Sequence, residues 1–167
     1  MEKKYKLTDE TISLNGATLY RIEALKDFGE IKKGDKGGFI ESEDNLSHEG
    51  NAWVYDDACV YDNALVTDNA CVSDNARVWG NVRVYGNTNV CGDAEISTGS
   101  DYIVFKNWWS SGMYFTWTRS NNMWSVGCFY GTGEELIKKA YKDSELSGRE
   151  YERIVKYVEE IRKDNGK

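Results

Sequence analysis

At 167 residues, 40% of them apolar and 13% aromatic, the chain can hold one domain with appendages, or two small lobes, around a real core. Its net charge of −7, from 21 Lys and Arg against 28 Asp and Glu, argues against direct DNA binding, because phosphate-backbone binders concentrate Lys and Arg. No apolar run approaches membrane-spanning length and Met1–Lys4 leads into no apolar signal segment, so a membrane partner is not expected and the cytoplasm is.

Residues 1–43 read as a small β lobe. Thr11–Leu14 and Ala17–Ala24 flank Asn15-Gly16, the strongest short hairpin signal. Alternation predicts a buried face of Tyr20, Ile22 and Ala24, with Thr18 at its turn end. Ile31–Ile40 is a Gly-rich turn into an imperfect first coil. The hexad Asp44–Glu49 keeps a turn pair but carries His48 where an aliphatic residue belongs, and reads as the end layer of a solenoid whose regular repeat begins at Gly50. The chain has no proline, so no rigid linker is marked and the lobes are expected to abut.

From Gly50 to Ser97 the chain repeats every six residues, eight times without a gap, beginning GNAWVY, DDACVY, DNALVT. The fifth slot is always aliphatic, from Val54 to Ile96, the third is small, and the first two are Gly or Asp followed by Asn or Asp. A fixed short period marks a solenoid. Three hexads make one triangular coil, so residues 18 apart stack, with valines and alanines inside and the turn pair at each corner. Asparagine suits the corner, since it tolerates left-handed backbone and can bond in register to the asparagine above.

The same stacking sorts the outward slots into three faces rich in Trp53, Tyr55, Tyr61, Trp79 and Tyr85. An exposed aromatic surface marks an interface, so these five form a candidate oligomer or partner face, with a trimer favoured and a dimer possible. Cys59, Cys71 and Cys91 occupy outward slots and Cys128 lies beyond the repeat. With no CxxC pair among them, all four read as free thiols in a reducing compartment.

Residues 100–167 change character. Asp101–Trp109, Met113–Thr118 and Met123–Phe129 read as strands, and two helices come after them with capping boxes at Thr132/Glu135 and Ser147/Glu150. Tyr151, Ile154, Val155, Val158 and Ile161 make one apolar stripe to cover the sheet. This lobe should block the open end of the solenoid, whose unpaired edges would invite aggregation. The expected architecture is mainly β: a left-handed parallel β-helix over 44–99, an N-terminal β-hairpin lobe over 1–43, and a C-terminal β-meander plus two helices over 100–167.

Hexad solenoids often serve as acyltransferases, which need a histidine base facing a cleft. The one histidine, His48, sits in an inward slot at a solenoid edge and reads as a capping group; alone it cannot ligate zinc. Asp56, Asp62, Asp68 and Asp74 share their slot with Gly80, Gly86 and Gly92, which points to backbone geometry and not to calcium. Cys128 near a helix start has no histidine neighbour in sequence and reads as structural. The residues thus designate no catalytic group, metal or cofactor. The candidate binding surface is the aromatic stock of the last lobe, Trp108, Trp109, Tyr114, Trp117 and Trp124, able to stack on nucleobases or anchor a protein partner, unless that sheet face packs on the solenoid end.

Several segments together resemble a known family: Tyr5–Glu10, Leu19–Gly29 and Gly34–Ser42 leading into the Gly50–Tyr55 repeat, then Val126–Glu135 with its Gly127-Cys-Phe-Tyr-Gly-Thr132 and, further on, Glu150-Tyr151. They are similar to the hexapeptide-repeat proteins of tailed bacteriophages and prophages of gut bacteria, over nearly the whole chain. That family offers no catalytic residue to carry over. The resemblance implies a phage-encoded binding protein, acting without turnover in the cytoplasm of the infected host. It would counter an antiviral defence such as a CRISPR effector, by direct contact or by sequestering a nucleotide signal. A hexapeptide acyltransferase using His48 and a virion or scaffold component are the alternatives.

Overall fold

Asn15 and Gly16 both take left-handed backbone (φ 51° and 84°), as a two-residue type I′ turn demands, and join β1 (Tyr5–Leu14) to β2 (Ala17–Ala24) as an antiparallel hairpin. The computed structural model, which describes residues 1–166, continues this hairpin into the solenoid. β3 (Lys36–Ile40) pairs antiparallel with β2 and parallel with the solenoid strand β5 (Cys59–Val60). Gly38 is required at that crossing, since a Cβ there would stand 2.5 Å from the Ala58 carbonyl.

Both faces of β2 are buried, which corrects the expected alternation. Ile22 and Ala24 face the solenoid core, but Leu19 on the opposite face is fully buried with Phe39, Cys59 and Tyr61, while Tyr20 is half-buried and Thr18 exposed. The hairpin tip reaches the outer side of the solenoid, where the Asn15 amide donates to the Tyr61 hydroxyl at 3.3 Å. Alternation assumes one face wholly open to water, and here each face of β2 is covered in part.

The hexads form a parallel β-solenoid of about three turns. One flank stacks β4 (Trp53–Val54), β7 (Cys71–Val72) and β10 (Asn89–Val90); a second stacks β5, β8 (Arg77–Val78) and β11 (Glu95–Ile96); the third pairs β6 (Leu65–Val66) with β9 (Arg83–Val84). Val54, Val72 and Val90 lie in one register, as do Val60, Val78 and Ile96, and all six are fully buried. Each such side chain contributes about 1.5–3 kcal/mol on burial.

Corner geometry explains the Gly/Asp slot. Asp56, Asp62, Asp68 and Asp74 take φ between 52° and 60°, as do Gly50, Gly80, Gly86 and Gly92 at 66–74°. Glycine adopts this conformation freely; aspartate is held in it by a bond to the next coil. The Asp68 carboxylate accepts from the Gly86 N–H at 2.9 Å and Asp74 from Gly92 at 2.8 Å. The neighbouring slot carries the expected ladder, with the Asn63 amide donating to Asn81 Oδ1 at 3.1 Å.

The last lobe is a four-stranded antiparallel sheet: β12 (Tyr102–Lys106), β13 (Tyr114–Thr118), β14 (Met123–Val126) and β15 (Phe129–Gly131). The first strand is shorter than expected, and the expected strand Met123–Phe129 breaks at Gly127 (φ 53°) to give the additional strand β15. Helices α1 (Gly133–Asp143) and α2 (Glu145–Asn165) complete the lobe. Thr132 and Glu135 form the expected capping box. The second box is corrected: Ser144 caps α2 by accepting from the Ser147 N–H, while its own N–H closes α1 on the Ala140 carbonyl. One residue ends one helix and starts the next, so Ser147 lies inside α2. Tyr151, Val155 and Val158 pack with Phe115, Trp117 and Trp124. No helix among the described residues is long and apolar enough to cross a membrane.

Candidate functional site

The two ends of the solenoid are closed by side chains matched to the backbone groups they meet. At the first end, donors meet carbonyls. The Lys4 ammonium donates to the Ala52 carbonyl at 2.8 Å, the Tyr5 hydroxyl to Leu46 at 2.7 Å, and the Asn45 amide to Asp62 and Ala64 at 3.0 and 2.8 Å. At the far end, acceptors meet amides: Thr116 Oγ1 takes the Asn89 N–H at 3.1 Å and Ser120 Oγ takes that of Glu95 at 2.7 Å. Thr116, Thr118 and Ser125 form the sheet face opposite the helices and are all buried. The C-terminal lobe therefore sits on the solenoid end as expected, through these hydroxyls together with Tyr102, which packs on the solenoid core and donates to the Arg83 carbonyl at 2.8 Å.

This decides where the predicted aromatic surface goes. Trp117 and Trp124 are buried under the helices and Trp109 is half-buried there, its indole donating to Ser147. Only Trp108, at 73% exposure, and Tyr114, at 42%, face solvent, which corrects the expected five-residue surface. The solenoid aromatics are corrected likewise. Trp53 is fully buried beneath Phe28 and Tyr5, and Tyr61 is buried under the hairpin. Trp79 stacks on Tyr61 at 5.9 Å, and Tyr55 packs half-buried on the core. Tyr85 alone of these five is exposed. Outward slots predicted from the repeat are outward; the N-terminal lobe then covers them.

His48 belongs to the first end. Its ring stacks on Tyr5 at 4.3 Å, Nδ1 accepts the Lys4 N–H at 3.1 Å, and Nε2 lies 3.1 Å from Glu43 Oε2. A ring whose Nδ1 accepts carries its proton on Nε2, which then points at the carboxylate. Both nitrogens are engaged and neither addresses a cavity.

A cleft does run along the β4–β7–β10 flank, between the Tyr55 corner and the β14–β15 turn. It encloses about 450 Å³ and is lined by Tyr55, Cys71, Ser73 and Asn89, with Gly127 at its edge. The stacking places these residues together, since Ser73 and Asn89 come from successive coils of one flank. Burial pushes the Cys71 thiol upward from its usual range, and burial pushes Tyr55 up to about 12, with Cys71 beside it. Neither ionises readily, so both serve the cleft as neutral hydrogen-bonding groups, beside the carboxylate of Asp56 that also lines it. Asn89 is oriented within it, its amide donating to Ser125 Oγ at 2.8 Å. The repeat places these groups on one face, and Gly127 of the other lobe borders them.

No family model matches the chain. The chain is 34% identical over 62 residues to the protein called "Uncharacterized acetyltransferase YdcK" of Escherichia coli (strain K12), a match covering 32% of this chain and 19% of that protein. The match thus spans about a fifth of the relative's length. It overturns the expectation that the chain acts without turnover. That expectation rested on the missing catalytic set, whereas the named relative is an acetyltransferase, which points toward enzymatic activity.

Proposed function

We propose that the protein transfers an acetyl group, and that the cleft on the β4–β7–β10 flank holds the donor. The observation that carries this reading is the similarity to an acetyltransferase in a chain built on a hexad solenoid. The cleft supports it with length along the coils and neutral donors: the Ser73 hydroxyl, the Asn89 amide and the Tyr55 hydroxyl, which ionises only at high pH. Such groups hold a thioester carbonyl without hydrolysing it. The acceptor's attacking atom forms the new bond to the acetyl carbon, the thiol leaves, and the acceptor's proton goes with it or to water. His48 takes no part, because both ring nitrogens serve the solenoid end.

Calorimetry with acetyl-CoA, and thiol release in the presence of amine and hydroxyl acceptors, test this. Ser73→Trp, which fills the cleft, should weaken binding at least tenfold, whereas His48→Gln should leave it unchanged. No binding at millimolar acetyl-CoA, or equal binding by the Ser73→Trp variant, refutes the assignment. A second reading, contact with a protein partner, is favoured by the exposure of Trp108 and Tyr114 at one end of the β12–β13 hairpin. Trp108→Ser should then abolish capture of that partner without touching acetyl transfer.

A further inference from the structure

Strand β12 is the open edge of the C-terminal sheet, and its register shows which groups it leaves free. The Asn107 N–H bonds to the Met113 carbonyl and the Arg119 N–H to the Asp101 carbonyl, both at 2.8 Å. Between them the pairing with β13 runs without a slip. Antiparallel strands alternate the direction of their backbone groups, so the odd-numbered residues face β13. Tyr102, Val104 and Lys106 then point their N–H and C=O groups outward, and no backbone bond among the described residues reaches them.

Two cavities flank this edge, one on each side of the sheet. On the solenoid side about 540 Å³ lies among Tyr85, Thr88, Tyr102 and Tyr114. On the other side about 450 Å³ is lined by Ile103, Trp117, Arg119 and Arg162. Neither guanidinium forms an ion pair among the described residues. Successive side chains of an extended strand point to opposite faces. An added strand would therefore drop alternate side chains into an aromatic slot and a basic one.

We propose that β12 takes up an extended peptide segment of a partner protein as a fifth strand, with apolar residues alternating with acidic ones. The backbone edge supplies affinity and the two slots supply the pattern. A second copy of the chain fits less well. Centred on Val104, two-fold pairing would set Ile103 and Phe105, both apolar, beside Arg119 and Arg162. This site adjoins the flank cleft, with Asn87 and Thr88 lining both, but does not depend on acetyl transfer.

The test is titration of the full chain with the blocked peptides Ac-Val-Glu-Val-Glu-Val-amide and Ac-Val-Lys-Val-Lys-Val-amide, monitored by amide NMR. The Glu peptide should shift the amides of Tyr102, Val104 and Lys106 and bind at least tenfold more tightly than the Lys peptide. Arg119→Glu with Arg162→Glu should reverse that preference. Val104→Pro, which removes an outward N–H without touching the β13 ladder, should lower affinity at least tenfold. No binding at millimolar peptide, equal binding of both peptides, or shifts elsewhere would overturn the proposal. Concentration-dependent shifts at the same three amides without peptide would assign the edge to a second copy and overturn it as well.

Discussion

Replacing Lys4 by Met should change the pH dependence of stability in a direction that can be worked out. Lys4 is 1% exposed, its ammonium held by the Ala52 carbonyl at 2.8 Å, the Gly50 carbonyl at 3.4 Å and the Phe28 ring at 4.9 Å. No carboxylate pairs with it among the described residues. Burial, with Lys26 adding repulsion, lowers its pKa from 10.5 to about 8. The folded state therefore binds fewer protons than the unfolded chain between about pH 8 and 10.5, and stability contributed by this group rises across that window. The full shift corresponds to a cost of roughly 3 kcal/mol at neutral pH, of which about 1 kcal/mol is relieved between pH 7 and 9. Burial raises the thiols Cys59, Cys71 and Cys91 and the Tyr5 hydroxyl, so these groups destabilise the fold as pH climbs past their ordinary values. The Met variant shares that loss, so the difference between the two proteins isolates Lys4. Urea unfolding at pH 7, 8 and 9 should show wild type gaining about 1 kcal/mol on Lys4→Met. A difference that does not move with pH would refute the buried, uncompensated ammonium.

Two other substitutions probe the corners and the far end. Asp68→Ala should cost about 1–2 kcal/mol in urea unfolding, because it loses the bond to the Gly86 N–H and keeps a Cβ in left-handed backbone; Asp68→Gly should cost clearly less. Thr116→Val keeps shape but leaves the buried Asn89 N–H without its acceptor, and should cost about 1–3 kcal/mol with loss of exchange protection at Asn89.

How much of the molecule is legible in its sequence depends on how local the physics is. The stacking of Val54 on Val72 depends only on a six-residue period and a coil of three, so residue spacing settles it. The left-handed corners are visible because only Gly and Asp fill that slot, the asparagine expected to take it standing one residue later with ordinary backbone. Ser144 is hidden because it serves two helices at once, and Ser147 offers a competing box one turn later. The fate of the aromatics needs long-range information: Trp53 and Tyr61 lie at outward slots, and only the hairpin and the Phe28 loop, far from them in sequence, cover them. One local signal does bear on the last lobe. In Tyr114–Thr118 the two threonines alternate with Phe115 and Trp117, marking a sheet with one apolar and one hydroxyl face. A hydroxyl face suits a surface that must accept backbone amides, and the solenoid end presents such amides at Asn89 and Glu95. Phe115, Trp117 and Trp124 therefore turn to the helices, and the free chemistry of the lobe moves to its edge, where β12 has no neighbour.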